Sequence, residues 1–256
     1  MTAPPTHPTA PEPAVVVEDV TVDYGEVRAL EGVDLTIGAA RIRAILGTNG
    51  SGKSTLFKSL LGLVMPQRGT VTVHGQSTAR ARRAGLLAYV PQSEQVDWSF
   101  PLRVWDVTMM GRYGHMGFTR RPRAHDREAV AEALSRTGLT ELADRQIGAL
   151  SGGQRKRAFV ARGLAQDAAV FLLDEPFAGV DTGSQATITE VLRDMRDRGH
   201  TVVVSTHDLA GVPALCDEAT LLHNRVIAEG TPDDVLTPER VMEVFGTGST
   251  HMAAEA

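Results

Sequence analysis

A lysine and a serine closing a glycine-rich run, GTNGSGKST over residues 47–55, are placed to handle phosphate. The run follows an apolar stretch, IRAIL (42–46), and leads into a helical pattern, STLFKSLLGL (54–63). Strand, glycine loop and helix is the order in which backbone amides wrap a phosphate and a helix N-terminus adds a favourable dipole. Gly47, Asn49, Gly50, Ser51, Gly52 and Thr55 are the expected loop contacts to a nucleotide. Lys53 is expected to reach the β- and γ-phosphates, and Ser54 to ligate Mg2+. A second group stands in VFLLDEP (170–176), where four apolar residues bury a strand and Asp174 emerges at its end. A carboxylate there is expected on the Mg2+ side of the site. Glu175, the next residue, is a candidate general base for an attacking water.

LSGGQRKRAFVARGLA (150–165) separates this chain from other nucleotide binders. Ser151, Gly152 and Gly153 lie just before a helix, so they form a second anion site of exposed amides, far from the first in sequence. Capping of the helix by Ser151 is compatible with that reading. With these residues the chain resembles the ATP-binding cassette family, whose signature is the serine–glycine–glycine–glutamine run, here Ser151 to Gln154. The resemblance implies that the signature closes over the γ-phosphate held by a second subunit, with two ATP molecules sandwiched in a head-to-tail homodimer. It also implies roles for four further positions. Tyr24 in VDYG would stack on adenine, Gln92 in YVPQ would contact Mg2+ and the lytic water, Asp181 in AGVD would cross the dimer interface, and His207 in STHD would sit near the γ-phosphate. The resemblance spans about residues 15–245. Two features depart from the family pattern. Thr48 replaces a proline common in the loop, where only backbone need cradle phosphate. Arg41 and Arg43 stand where small residues are usual, and Arg43 is expected to point out of a sheet edge.

The elements that must position these groups read as α/β with a largely parallel sheet, because apolar runs alternate with helical patterns. Residues 15–24 and 31–37 look like strands of an N-terminal antiparallel layer. GTVTVHG (69–75) and LLAYV (86–90) are further strands, and DREAVAEALSRTG (126–138) is an amphipathic helix ending at glycine. AVFLLDE (169–175) and TVVVSTH (201–207) carry polar residues at their C-terminal ends, where open α/β sheets bind ligands. ATLLHNRVIAEG (219–230) reads as a hairpin turning at Asn224. The resemblance implies a P-loop NTPase, RecA-like core with an inserted α-helical subdomain at about 93–160, inside a nucleotide-binding domain of residues 14–246. Residues 1–13 and 247–256 are expected to be disordered and flexible tails.

Composition sets the outer bounds. The chain has 256 residues, 42% hydrophobic, 22% charged, with net charge −5. That charge argues against broad nucleic-acid binding. No run approaches the roughly 18–20 apolar residues of a membrane span, and the start lacks the basic and apolar regions of a signal peptide. The lone Cys216 fits a reducing cytoplasm.

The segment VDWSFPLRVWDVTMMGRYGH (96–115) concentrates both tryptophans and two adjacent methionines in a chain only 5% aromatic. It lies in the helical lobe, which in the family's importers receives a helix of the membrane permease. Part of it is expected to be core and part an exposed, adaptable contact surface over residues 93–120. Its wording is similar to the ATPases of manganese, iron and zinc importers that use a metal-binding lipoprotein, the manganese/iron branch above all. That resemblance places the chain at the cytoplasmic face of the membrane, with the lipoprotein an indirect partner. It does not make the chain a metal binder, since its histidines show no zinc-type spacing. A siderophore, haem or vitamin importer and a soluble cassette protein are the alternative settings for the same motor.

Overall fold

The computed structural model describes residues 13–92, 101–118 and 120–246. The N-terminal layer begins with β1 (Pro13–Tyr24), a long strand paired antiparallel with β2 (Val27–Gly38). Pro13, expected in the tail, is already paired with Gly38. The core strand β3 (Ile42–Leu46) follows and delivers the glycine loop to α1 (Lys53–Leu60). Next come β4 (Arg68–Val73), β5 (Gln76–Ser77), α2 (Thr78–Arg83) and β6 (Leu87–Val90). A helical block then intervenes: α3 (Val104–Met109), a 3-10 turn over Met110–Gly114, α4 (Ala124–Arg136) and α5 (Gly152–Gln166). The chain returns through β7 (Val170–Asp174), α6 (Thr182–Asp197), β8 (Thr201–Thr206) and α7 (Val212–Leu215). It ends in the hairpin β9 (Glu218–His223) and β10 (Arg225–Gly230), with α8 (Pro232–Val235) and α9 (Pro238–Phe245) behind it.

Two sheets result. A four-stranded antiparallel sheet has the order β2-β1-β4-β5. A six-stranded sheet has the order β10-β9-β3-β8-β7-β6, parallel except for β10. The parallel strands are buried on both faces, which is why they read as continuous apolar runs. Alternation sorts their side chains into two cores. Ile42, Ala44, Phe171, Leu173, Val202 and Val204 face the helices. Ile45, Val170, Leu172 and Val203 face α1 and the antiparallel sheet.

Arg43 corrects one expectation. β3 lies between β8 and β9, so it has no open edge, and Arg43 is 6% exposed. Its guanidinium donates to Glu218 Oε2 at 2.7 and 2.9 Å, to Thr220 Oγ1 at 2.9 Å and to Glu229 Oε2 at 3.2 Å. Four charge-assisted bonds replace its lost hydration, which lets an arginine occupy the middle of a sheet.

Candidate functional site: a phosphate cradle at the strand ends

β3, β6, β7 and β8 all end at one edge of the parallel sheet, and the expected residues gather there. A cleft of about 640 Å3 is lined by Tyr24, the loop from Thr48 to Thr55, Gln92, Asp174 and Glu175, and also by Val27, Ala29 and Asn224. The loop uses glycine where only glycine fits. Gly52 has φ +97°, and a Cβ there would stand 2.6 Å from the Ala29 carbonyl. Lys53, the first residue of α1, is buried and donates to the carbonyls of Gly47 at 2.7 Å and Thr48 at 3.0 Å. Burial pushes its pKa down, and the charges of Glu175 and Asp174 oppose that shift. The Ser51 hydroxyl oxygen is buried and has no hydrogen-bond partner.

Asp174 stands at the end of β7. Its Oδ2 lies 3.5 Å from Ser54 Oγ and accepts from the Tyr89 phenol at 3.4 Å. Ser205 Oγ on β8 donates to Oδ1. Burial first, and the Asp174 charge second, push the Tyr89 phenol up to about 12, so it stays a donor. Two neighbouring oxygens, from Ser54 and Asp174, form a donor set that suits a hard divalent cation. The orphaned Ser51 hydroxyl and the glycine-lined loop suit phosphate oxygens.

Glu175 is 5% exposed, and its Oε1 lies 2.9 Å from His207 Nδ1. With Glu175 ionised, that contact requires the proton on Nδ1. The Glu175 amide donates to both the carbonyl and the hydroxyl of Ser205, each at 3.1 Å. His207 itself is exposed just beyond β8.

The remaining predicted residues lie apart from this cleft. Ser151 caps α5: Gln154 N–H donates to Ser151 Oγ at 3.3 Å, and Ser151 N–H donates to Gln154 Oε1 at 3.0 Å. Gly152 is exposed and Gly153 buried; a Cβ on Gly153 would stand 2.6 Å from Ser184 Oγ and 2.9 Å from Asp181 Oδ2. Asp181 caps α6 by accepting from Ser184 N–H at 2.9 Å, and that bond lowers its pKa. Within one chain, then, Ser151, Gly152, Gly153, Gln154 and Asp181 do not line the cleft that holds Lys53 and Glu175.

Two residues that support the cleft, Ser205 beneath it and Asn224 in its wall, carry no functional mark in the sequence. Ser205 holds the Asp174–Glu175 pair from the neighbouring strand. Asn224, read only as a turn, has φ +58° and ties the hairpin tip to the loop. Its N–H donates to the Ser51 carbonyl at 2.8 Å, and its side chain donates to Arg28 O at 2.8 Å and Ala29 O at 3.2 Å. The left-handed turn that marks Asn224 in sequence says nothing about this reach.

Of the aromatic segment, Trp98 and Phe100 lie outside the described residues. Trp105 packs against the core and Met109 is buried, while Tyr113 is 40% exposed. A groove beside them is lined by Arg82, Arg83, Met110, Gly114 and His115.

Known proteins resemble this chain in sequence and in fold. The ABC transporter family profile matches residues 30–178. The manganese transport system ATP-binding protein MntA of Synechocystis is 48% identical over 233 residues, covering 91% of this chain and 90% of that protein. The chelated iron transport system membrane protein YfeB of Yersinia pestis is 45% identical over 247 residues, 96% of this chain and 83% of that one. Among solved structures, the ADP conformation of MJ1267, an ATP-binding cassette of an ABC transporter, superposes with a TM-score of 0.80 at 25% identity, covering 91% of this chain and 98% of the other. Profile, relatives and fold agree over most of the length, and the chain belongs to the ABC transporter family as one of its ATPases.

Proposed function

We propose that this chain powers a divalent metal-ion importer, with manganese as the first candidate and iron or zinc behind it. One observation carries the motor: an acidic side chain, Glu175, held by His207 at 2.9 Å beside a glycine cradle and a buried lysine. The cargo rests on the wording of residues 89–121 and on relatives named for manganese and chelated iron transport.

Each residue then has a task. Tyr24, at the cleft mouth, stacks on adenine. The loop amides and Lys53 stabilise charge on the phosphates, Lys53 with the ammonium proton not already given to Gly47 and Thr48. Ser54 and Asp174, with Gln92 near them, hold Mg2+, which supplies charge neutralisation on the phosphate oxygens when bound. Glu175 takes a proton from the attacking water, and His207 fixes the orientation of its carboxylate. Ser151, Gly152, Gly153 and Gln154, with Asp181, serve the cleft of a second copy in a head-to-tail homodimer. That arrangement gives a purpose to residues that do not line the cleft of their own chain. The groove at Met110 and Gly114 receives the permease at the cytoplasmic face of the membrane, and a metal-binding lipoprotein acts outside. Among the described residues no helix is long and apolar enough to cross a membrane.

The test is metal content by mass spectrometry in cells lacking this gene, complemented with wild type or Glu175→Gln, in metal-limited medium. Glu175→Gln is expected to bind ATP normally and to lose about 100-fold or more in turnover. A fall in manganese alone with the mutant supports the cargo assignment. Unchanged metals would remove it, and undiminished ATPase activity would remove the general base.

A further inference from the structure

Glu175 has φ +50°, the left-handed region that side chains other than glycine and asparagine adopt at a cost. Such a backbone persists only where its surroundings hold it. Ser205 holds the amide. The Glu175 carbonyl accepts from Ala178 N–H at 3.2 Å and from Lys156 Nζ at 2.8 Å. Lys156 Nζ also donates to the Ala178 carbonyl at 2.7 Å. Lysine heads ordinarily stay in water, yet this one is spent on two backbone carbonyls of a single turn. Lys156 belongs to α5, the helix that Ser151 caps and Gly152 begins, in the helical block inserted between β6 and β7. Its ammonium thus spans from that block to the peptide bearing the candidate general base.

We propose that Lys156 is a positioning residue that couples the helix of the Ser151–Gly153 motif to the backbone of Glu175. The inference rests on Glu175 acting as general base. The side chain of Glu175 leaves a backbone pinned at both ends, by Ser205 at the amide and by Lys156 at the carbonyl. A displacement of α5 moves the second pin and so turns the carboxylate relative to the cleft. Hydrolysis in one subunit then responds to whatever engages its own signature helix, and that helix need not touch the nucleotide in the same chain.

The test is steady-state ATPase kinetics of the full-length chain with Mg2+ and ATP. Lys156→Met is expected to lower kcat tenfold or more, leaving KM and the dissociation constant for ATP within twofold. Lys156→Arg, which keeps two donors, should recover at least half of kcat. Lys156→Gln, with the volume and a single donor arm, should fall between and serves if the methionine variant folds poorly. Adding Lys156→Met to Glu175→Gln should cost nothing further. Full kcat in Lys156→Met and Lys156→Gln overturns the inference. So does a parallel loss of ATP affinity and thermal midpoint without rescue by arginine, which would make Lys156 part of the fold only. Retained turnover in Glu175→Gln would instead sink the general-base assignment, so the two failures are told apart.

Discussion

Lys53 joins burial to phosphate recognition in one group. Burial favours its neutral form, the two carboxylates favour the charged form, and the balance is a lowered pKa. A bound triphosphate favours the charged form strongly. Nucleotide binding above the lowered pKa is therefore expected to take up a proton, and the affinity to fall by up to about tenfold per pH unit there. Below it Lys53 contributes no pH dependence. The same sign makes the unliganded fold slightly more stable as pH rises from the lowered value toward 10.5. Titration calorimetry in two buffers of different ionisation enthalpy reads the proton directly, and Lys53→Met should abolish the uptake. Binding without proton uptake at any pH below 10.5 would contradict the shift. Lys53, Ser54, Asp174 and Glu175 could be singled out in sequence because each sits in a local pattern, a glycine loop between strand and helix or the polar end of an apolar strand. Ser205, Asn224 and Lys156 were not, because each acts on a segment 19 or more positions away and no local pattern marks that action. Serine beside a strand end or lysine on a helix has no local pattern that distinguishes it.

Among the elements, the parallel strands could be placed from their apolar runs, and the hairpin from the asparagine at its turn. Strand order could not, and Arg43 shows the consequence. A charged residue inside an apolar strand suggests an open edge; here β3 is central, and β9 and β10 supply the acids that make the position tenable. The arginine fastens the hairpin whose tip, Asn224, reaches the loop at Ser51. Arg43→Met removes that tie and leaves Glu218 without its cation. Glu218 is 28% and Glu229 49% exposed, so both acids regain part of their hydration, and the expected cost is about 2 kcal/mol, below that of a fully buried pair. Urea unfolding measures it, and adding Glu218→Leu should restore part of the loss. A cost below about 0.5 kcal/mol would place the pair with ordinary surface bridges.

At the scale of the molecule, the nucleotide cleft and the groove at Met110 lie on different elements, which lets one be altered without the other. Gly111 cannot accept a side chain, because a Cβ there would collide with the Arg162 carbonyl on α5. Gly114, three residues on, meets nothing within 4 Å and has no left-handed φ. It lines the groove together with Met110, His115, Arg82 and Arg83, next in sequence to the exposed Tyr113. A leucine at Gly114 therefore fills the groove from within while leaving the backbone and the core unstrained. With the permease seated there, Gly114→Leu is expected to weaken the association of this chain with its membrane partner tenfold or more and to lower cellular metal uptake in proportion. Nucleotide affinity should stay within twofold and the thermal midpoint within about 2 °C, since a surface change of this kind alters stability by roughly 0.5 kcal/mol or less. Co-purification of the complex from membranes, read against nucleotide binding by the same variant, separates the two surfaces. Normal association with leucine in the groove would mean that the permease docks elsewhere on the helical block, with Tyr113 and the fully exposed Phe118 as the next positions to change.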